Sequence, residues 1–118
     1  MKTFAEVEEA LSKTGRRTYA GAVLACLLDA YDQGNTELEK REVVVRTGIA
    51  ETNIAAVARR LEEHGILEIL YWDTKAENPF LSSLRNGPWS IPFYRLTPAV
   101  LQLHHRGEAN LTVSHAKL

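Results

Sequence analysis

Between Glu51 and Arg60 the chain carries side chains that hydrogen-bond, and none of the nucleophiles or paired acids that covalent chemistry needs. Ile54, Val57, Ala58 and Leu61 recur at i, i+3, i+4 and i+7, the spacing of one apolar helix face. The opposite face is left to Glu51, Thr52, Asn53, Ala55, Ala56, Arg59 and Arg60. Such side chains suit the recognition of a polar surface. A carboxamide can pair in a bidentate way with adenine, a hydroxyl donates or accepts, a methyl group meets thymine, and a guanidinium reaches bases or phosphates. A purely structural reading uses the same residues: Thr52 and Asn53 as helix caps, and Arg59 and Arg60 paired with Glu62 and Glu63 along a solvated face.

No catalytic constellation stands beside this face, so the chain is not expected to be an enzyme. His104 and His105 are adjacent and would point in different directions around a helix, which argues against a shared metal site. His64 falls near the expected end of a helix, where a cation suits the dipole. Cys26, within VLACLLDAY, reads as a small buried hydrophobe, since a redox sensor needs an exposed thiol in electropositive surroundings. A lone cysteine also excludes an internal disulfide. No phosphate-binding glycine loop or Cys-rich metal motif is present, and no cofactor or metal is expected.

Composition restricts the choice further. With 118 residues, 45% of them hydrophobic, one domain with one modest core is expected. A formal net charge of −1 argues against promiscuous nucleic-acid binding and requires any such binding to gather its cations on one face. The start MKTFAEVEEA has neither the apolar run nor the cleavage site of a signal peptide, and no apolar stretch reaches the roughly 18 residues of a membrane span. A soluble, cytoplasmic protein with no membrane partner is expected.

The elements that must position the Glu51 to Arg60 face can be read along the chain. Thr3 and Glu6 form a T-x-x-E capping box for a short first helix with Phe4, Val7 and Leu11 on one side, ending at Gly15. Ala20, Val23, Leu24, Leu27, Leu28 and Tyr31 mark a second, more buried helix that ends near Gly34. Leu38 reads two ways: Thr36 and Glu39 offer a capping box that would start a third helix at Glu37, or Leu38 is a brief strand and the helix starts near Glu39, the preferred reading. In the third helix Val43 and Val44, and Ile49 after the turn, should face the core. The fourth helix spans residues 51–64. Strands are expected from Ile66 to Trp72 and from Ile91 to Leu96, joined by a long loop, and Thr97-Pro98 should open a last helix to about Arg106. Residues 107–118 are expected to be a flexible tail.

The order of these motifs resembles the winged helix-turn-helix regulators of bacteria and archaea, in particular the MarR-like and PadR-like groups. The resemblance runs from Leu38 to Pro98 and rests on the R-T-G-I turn, the R-R-L-E-x-x-G-I-L exit from the fourth helix and the Y-R-L-T-P return strand. It implies an α+β, mostly α fold: a single winged-helix domain over residues 1–106, with the helix-turn-helix at 38–65, a two-stranded β-wing at 66–97, and flanking N- and C-terminal helices. It further implies a sequence-specific regulator that binds double-stranded DNA, a homodimeric repressor acting by operator occupancy. Thr52, Asn53 and Ala56 would then face bases, because a recognition helix enters the major groove by its N-terminal part. Arg59 would reach phosphate, with Arg60, Lys40, Arg41 and the loop cations Lys75 and Arg85 as further DNA contacts. Glu39 and Glu51 depart from the usual pattern and place negative charge near that face.

Six of the nine aromatic residues, Tyr71, Trp72, Phe80, Trp89, Phe93 and Tyr94, fall in the second half of this stretch. They either close a satellite core over the strands or, with Leu81 and Leu84, offer a docking surface. The second reading makes residues 72–94 the contact of a protein-interaction module in a replication, plasmid or phage assembly. For the homodimer, the terminal helices are the expected interface, through Phe4, Val7, Leu11, Val100, Leu101 and Leu103, because so small a domain leaves them little else to pack against.

Overall fold

Local signals set most of the helix ends. The structure, a computed structural model, describes residues 3–73, 81–85 and 87–116. Helix α1 (Phe4–Lys13) opens where expected, with Thr3 Oγ1 accepting from the backbone N–H of Glu6 at 3.2 Å. Gly15 then takes φ +75, a conformation without steric cost for glycine, and the chain turns into α2 (Arg17–Asp32). α2 packs against α1, both following helices and two strands, and buries Ala20, Val23, Cys26, Leu27 and Ala30. It is the central helix that its Ala and Leu content suggests.

Leu38 lies in strand β1 (Glu37–Glu39), and helix α3 (Lys40–Thr47) begins just after it. The capping box at Thr36 does not form. Thr36 Oγ1 donates to Glu37 Oε2 at 2.6 Å, and Glu39 precedes the helix without a side-chain cap. Burial of Leu38 against the sheet commits the backbone of residues 37–39 to strand pairing, which competes with an earlier helix start. Val43 is fully buried, Val44 and Ile49 pack partly against the core, and Val45 is exposed. Gly48 at φ +71 closes α3, its N–H donating to Val44 O at 2.9 Å. Helix α4 (Glu51–Glu63) follows after two residues, with Ile54, Val57, Ala58 and Leu61 buried as their spacing requires.

Strands β2 (Leu67–Asp73) and β3 (Ser90–Leu96) are antiparallel, and β1 adds to the far side of β3. The sheet thus has three strands in the order β1-β3-β2: the expected two-stranded hairpin, with the brief strand at Leu38 added to its far edge. Its register places Leu38 and Ile69 on either side of Tyr94, so three buried side chains form one row over the helices. The next row lies on the other face. There Arg95 stands between Glu68 and Glu37, at 2.6 and 3.8 Å, an acid–base–acid line across all three strands. Pro92 is accommodated in the middle strand because its partner Tyr71 turns its own N–H and C=O away, to Ser82, at 2.7 and 3.1 Å. The N–H that proline lacks would point past the end of β1, whose pairing with β3 stops at Phe93.

Thr97 ties the end of the sheet to the end of α4, its Oγ1 donating to Gly65 O at 2.8 Å. Helix α5 (Pro98–Ala116) then runs well past Arg106, so the helix end expected there lies further on. Gly107 lies within the helix close to the Phe4 ring, where a Cβ would sit 3.4 Å from Cζ. α5 buries Val100 and Leu103, and His104 Nε2 and His105 Nε2 lie 2.8 Å from Asp32 Oδ1 and Tyr31 Oη at the end of α2. The molecule is α+β and mostly helical, with five helices and one antiparallel sheet among the described residues. No helix among them is long and apolar enough to cross a membrane.

Candidate nucleic-acid interface

The outward face of α4 looks onto a groove. Its walls are the first residues of α3 and α4 on one side and the β2–β3 hairpin on the other, enclosing about 420 Å³. Lys40, Arg41, Arg59 and Arg85 line it, with Glu39 and Glu51 as the acidic members. Four cations from three separate segments therefore meet in a chain whose overall charge is slightly negative. That is the gathering of charge that binding a polyanion requires. Tyr71, Trp89 and Tyr94 supply its aromatic surface.

The acids temper this charge unevenly. Lys40 Nζ lies 3.0 Å from Glu51 Oε1, and this hydrogen bond, with the lysine's charge, holds the Glu51 carboxyl below the usual carboxylate range. Arg41 and Arg59 are exposed. Arg85 donates through Nε to Gly87 O at 3.4 Å. Tyr94 forms part of the floor, and its burial pushes the phenol well above its ordinary value, so it remains neutral.

The expected contact residues are only partly brought together. Thr52 and Ala56 are exposed on α4, and Arg59 points into the groove. Arg60 is exposed beside Glu63, at 3.7 Å, and does not line the groove. Adjacent helical positions diverge by about 100°, and here that turns Arg60 away from the wall that Arg59 lines. Arg46 is elsewhere too: it pairs with Glu42 at 3.1 Å and lines a second, smaller hollow with Cys26 and Asp29. Lys75 and Phe80 lie outside the described residues. The capping reading of Thr52 and Asn53 is corrected, since Ala50 precedes α4 as its cap and no side chain bonds there.

Asn53 is half-buried and engaged by a residue that the sequence did not single out. Arg16 Nη1 donates to Asn53 Oδ1 at 2.6 Å. The two are 37 positions apart, and nothing local in either segment signals the pairing.

The hydrophobic residues assigned to a dimer interface are placed differently from expectation. Val7, Leu11, Val100 and Leu103 are buried within the chain's own core, and Leu101 packs partly against it. Within the chain, α1 packs against α2 and α4. Phe4 alone of the six is largely exposed, at 58%. Of the aromatic cluster, Tyr94 is buried and Tyr71 packs against the core, whereas Trp89 and Leu84 are exposed. Cys26 is buried, and desolvation pushes its thiol up despite the opposing charge of Arg46.

Comparison with known proteins finds no matching family model, no matching curated protein and no matching solved structure.

Proposed function

We propose that this chain is a winged helix-turn-helix protein that binds double-stranded DNA in a sequence-specific way and acts as a homodimeric transcriptional repressor. In this reading α3 and α4 are the helix-turn-helix, α4 is the recognition helix and the β2–β3 hairpin is the wing. The observation that carries it is the convergence of Lys40, Arg41, Arg59 and Arg85 on one groove beside the outward face of α4. Thr52 and Ala56 at the exposed start of α4 are available for base edges, and the groove cations for the adjoining phosphates. A dimer is part of the proposal because one recognition helix reads only a few base pairs, and two-fold symmetry doubles the contacts. With Val7, Leu11, Val100 and Leu103 committed to the core, the exposed Phe4 is the residue of the expected interface that remains available for it.

The test is selection of bound sequences from a random duplex pool, followed by titration of the enriched duplex at several salt concentrations. Enrichment of a two-fold symmetric site supports the proposal. Failure to enrich any sequence, with binding no better than that of an unrelated acidic protein at low salt, would overturn it. One observation favours a second reading, in which the loop docks a partner protein: Leu84 and Trp89 are exposed at 70% and 45% in a hairpin whose other described aromatics are buried or partly buried.

A further inference from the structure

The turn between α1 and α2 is built so as to carry Arg16 to the head of α4. Thr14 is buried, donates its Oγ1 to Leu11 O at 2.6 Å and accepts the backbone N–H of Arg16 at 3.2 Å. Gly15, at φ +75, reverses the chain between them. Arg16 is thereby held just before α2, and its guanidinium meets Asn53 in the first turn of α4.

The chemistry of that meeting has only one orientation. Arginine carries donors and no acceptor, so it can bond the carboxamide solely through its oxygen. With Oδ1 held by Arg16 Nη1, the Nδ2 amide group is the end of Asn53 turned away from the arginine. Adenine in the major groove offers N7 as acceptor and N6 as donor, and a bidentate match needs both ends of an asparagine. Guanine offers N7 and O6, both acceptors. A donor-presenting Asn53 beside a guanidinium charge matches the second pattern.

We propose that Arg16 is a positioning residue that occupies one lone pair of the Asn53 oxygen and leaves the Nδ2 amide as its reading end, so that the base pair facing Asn53 is selected for guanine over adenine. This rests on the DNA reading above and replaces the adenine preference expected for a free asparagine.

Selection from a random duplex pool with the wild type, Asn53→Ala, Arg16→Ala and Arg16→Lys tests it. The position read by Asn53 is the one at which Asn53→Ala loses its preference. There the wild type should favour guanine by about tenfold, the scale of one well-placed base contact. Arg16→Ala should move the preference toward adenine. Arg16→Lys should retain guanine, because an ammonium still donates to Oδ1. Arg16 is exposed, so thermal melts of its variants should match the wild type and separate a specificity change from a folding defect. Wild-type preference for adenine at that position, no loss of preference in Asn53→Ala, or an unchanged guanine preference in Arg16→Ala would each overturn the inference while leaving DNA binding intact. A wild type that enriches no sequence would instead remove the DNA reading on which it stands.

Discussion

Replacing Glu51 by Gln should strengthen duplex binding, although it changes a residue on the recognition face. Glu51 Oε1 lies 3.0 Å from Lys40 Nζ, and its lowered carboxyl keeps it ionised at neutral pH, where it cancels one groove cation. The groove holds Lys40, Arg41, Arg59 and Arg85 against Glu39 and Glu51, four charges against two, a balance of +2. Glu51→Gln makes that balance +3 and releases Lys40 to a phosphate. Each phosphate neutralised adds about 0.9 to the slope of log affinity against log salt. Halving the salt concentration should therefore raise the variant's affinity about twofold more than it raises the wild type's. Fluorescence anisotropy of a labelled duplex at four salt concentrations measures both slopes. Parallel slopes, or weaker binding by the variant, would show that phosphate does not enter this groove and would refute the electrostatic argument. Stability should hardly change at neutral pH, because Glu51 is exposed and pairs with an exposed member contribute little. Glu51 has a folded-state pKa lower than its unfolded one, so its small contribution is present at neutral pH and disappears as pH falls through the lowered value. Acid should therefore bring the two melting curves together.

Leu61→Ala should cost about 2 to 5 kcal/mol in denaturant unfolding, since Leu61 is fully buried, whereas Leu84→Ala, at an exposed position, should stay within about 0.5 kcal/mol; the opposite ranking would place Leu84 in the core. Arg59→Ala should weaken binding to all duplex sequences and flatten the salt slope by about one counterion per subunit, while Arg60→Ala, outside the groove, should change it less. Equal effects in titrations of the two variants would count against the groove. Cys26 should react slowly with a thiol reagent in the native protein and rapidly in denaturant, because burial and a raised thiol both oppose thiolate formation; immediate native-state labelling would contradict its place in the core.

Periodicity and glycine position are local properties, and they were enough to locate α4, its buried face and the turns at Gly48 and Gly65. The change of period after Gly65 likewise located β2 and β3. Other features depended on partners that no local pattern names. Three residues around Leu38 suit a helix start or a strand equally, and only Tyr94, far along the chain, decides for the strand by pairing with it. An amphipathic stripe says that a face is covered without saying by what. Val7, Leu11, Val100 and Leu103 therefore suit a second copy as well as the chain's own core, and only the tertiary structure places them in that core. The groove divides Arg59 from Arg60 because helix geometry sends neighbours in different directions, and which direction holds the hairpin is a matter of packing. The bond from Arg16 to Asn53 is the clearest case. Its two residues sit in ordinary turn and helix contexts, and their meeting is created entirely by how α2 lies across α4.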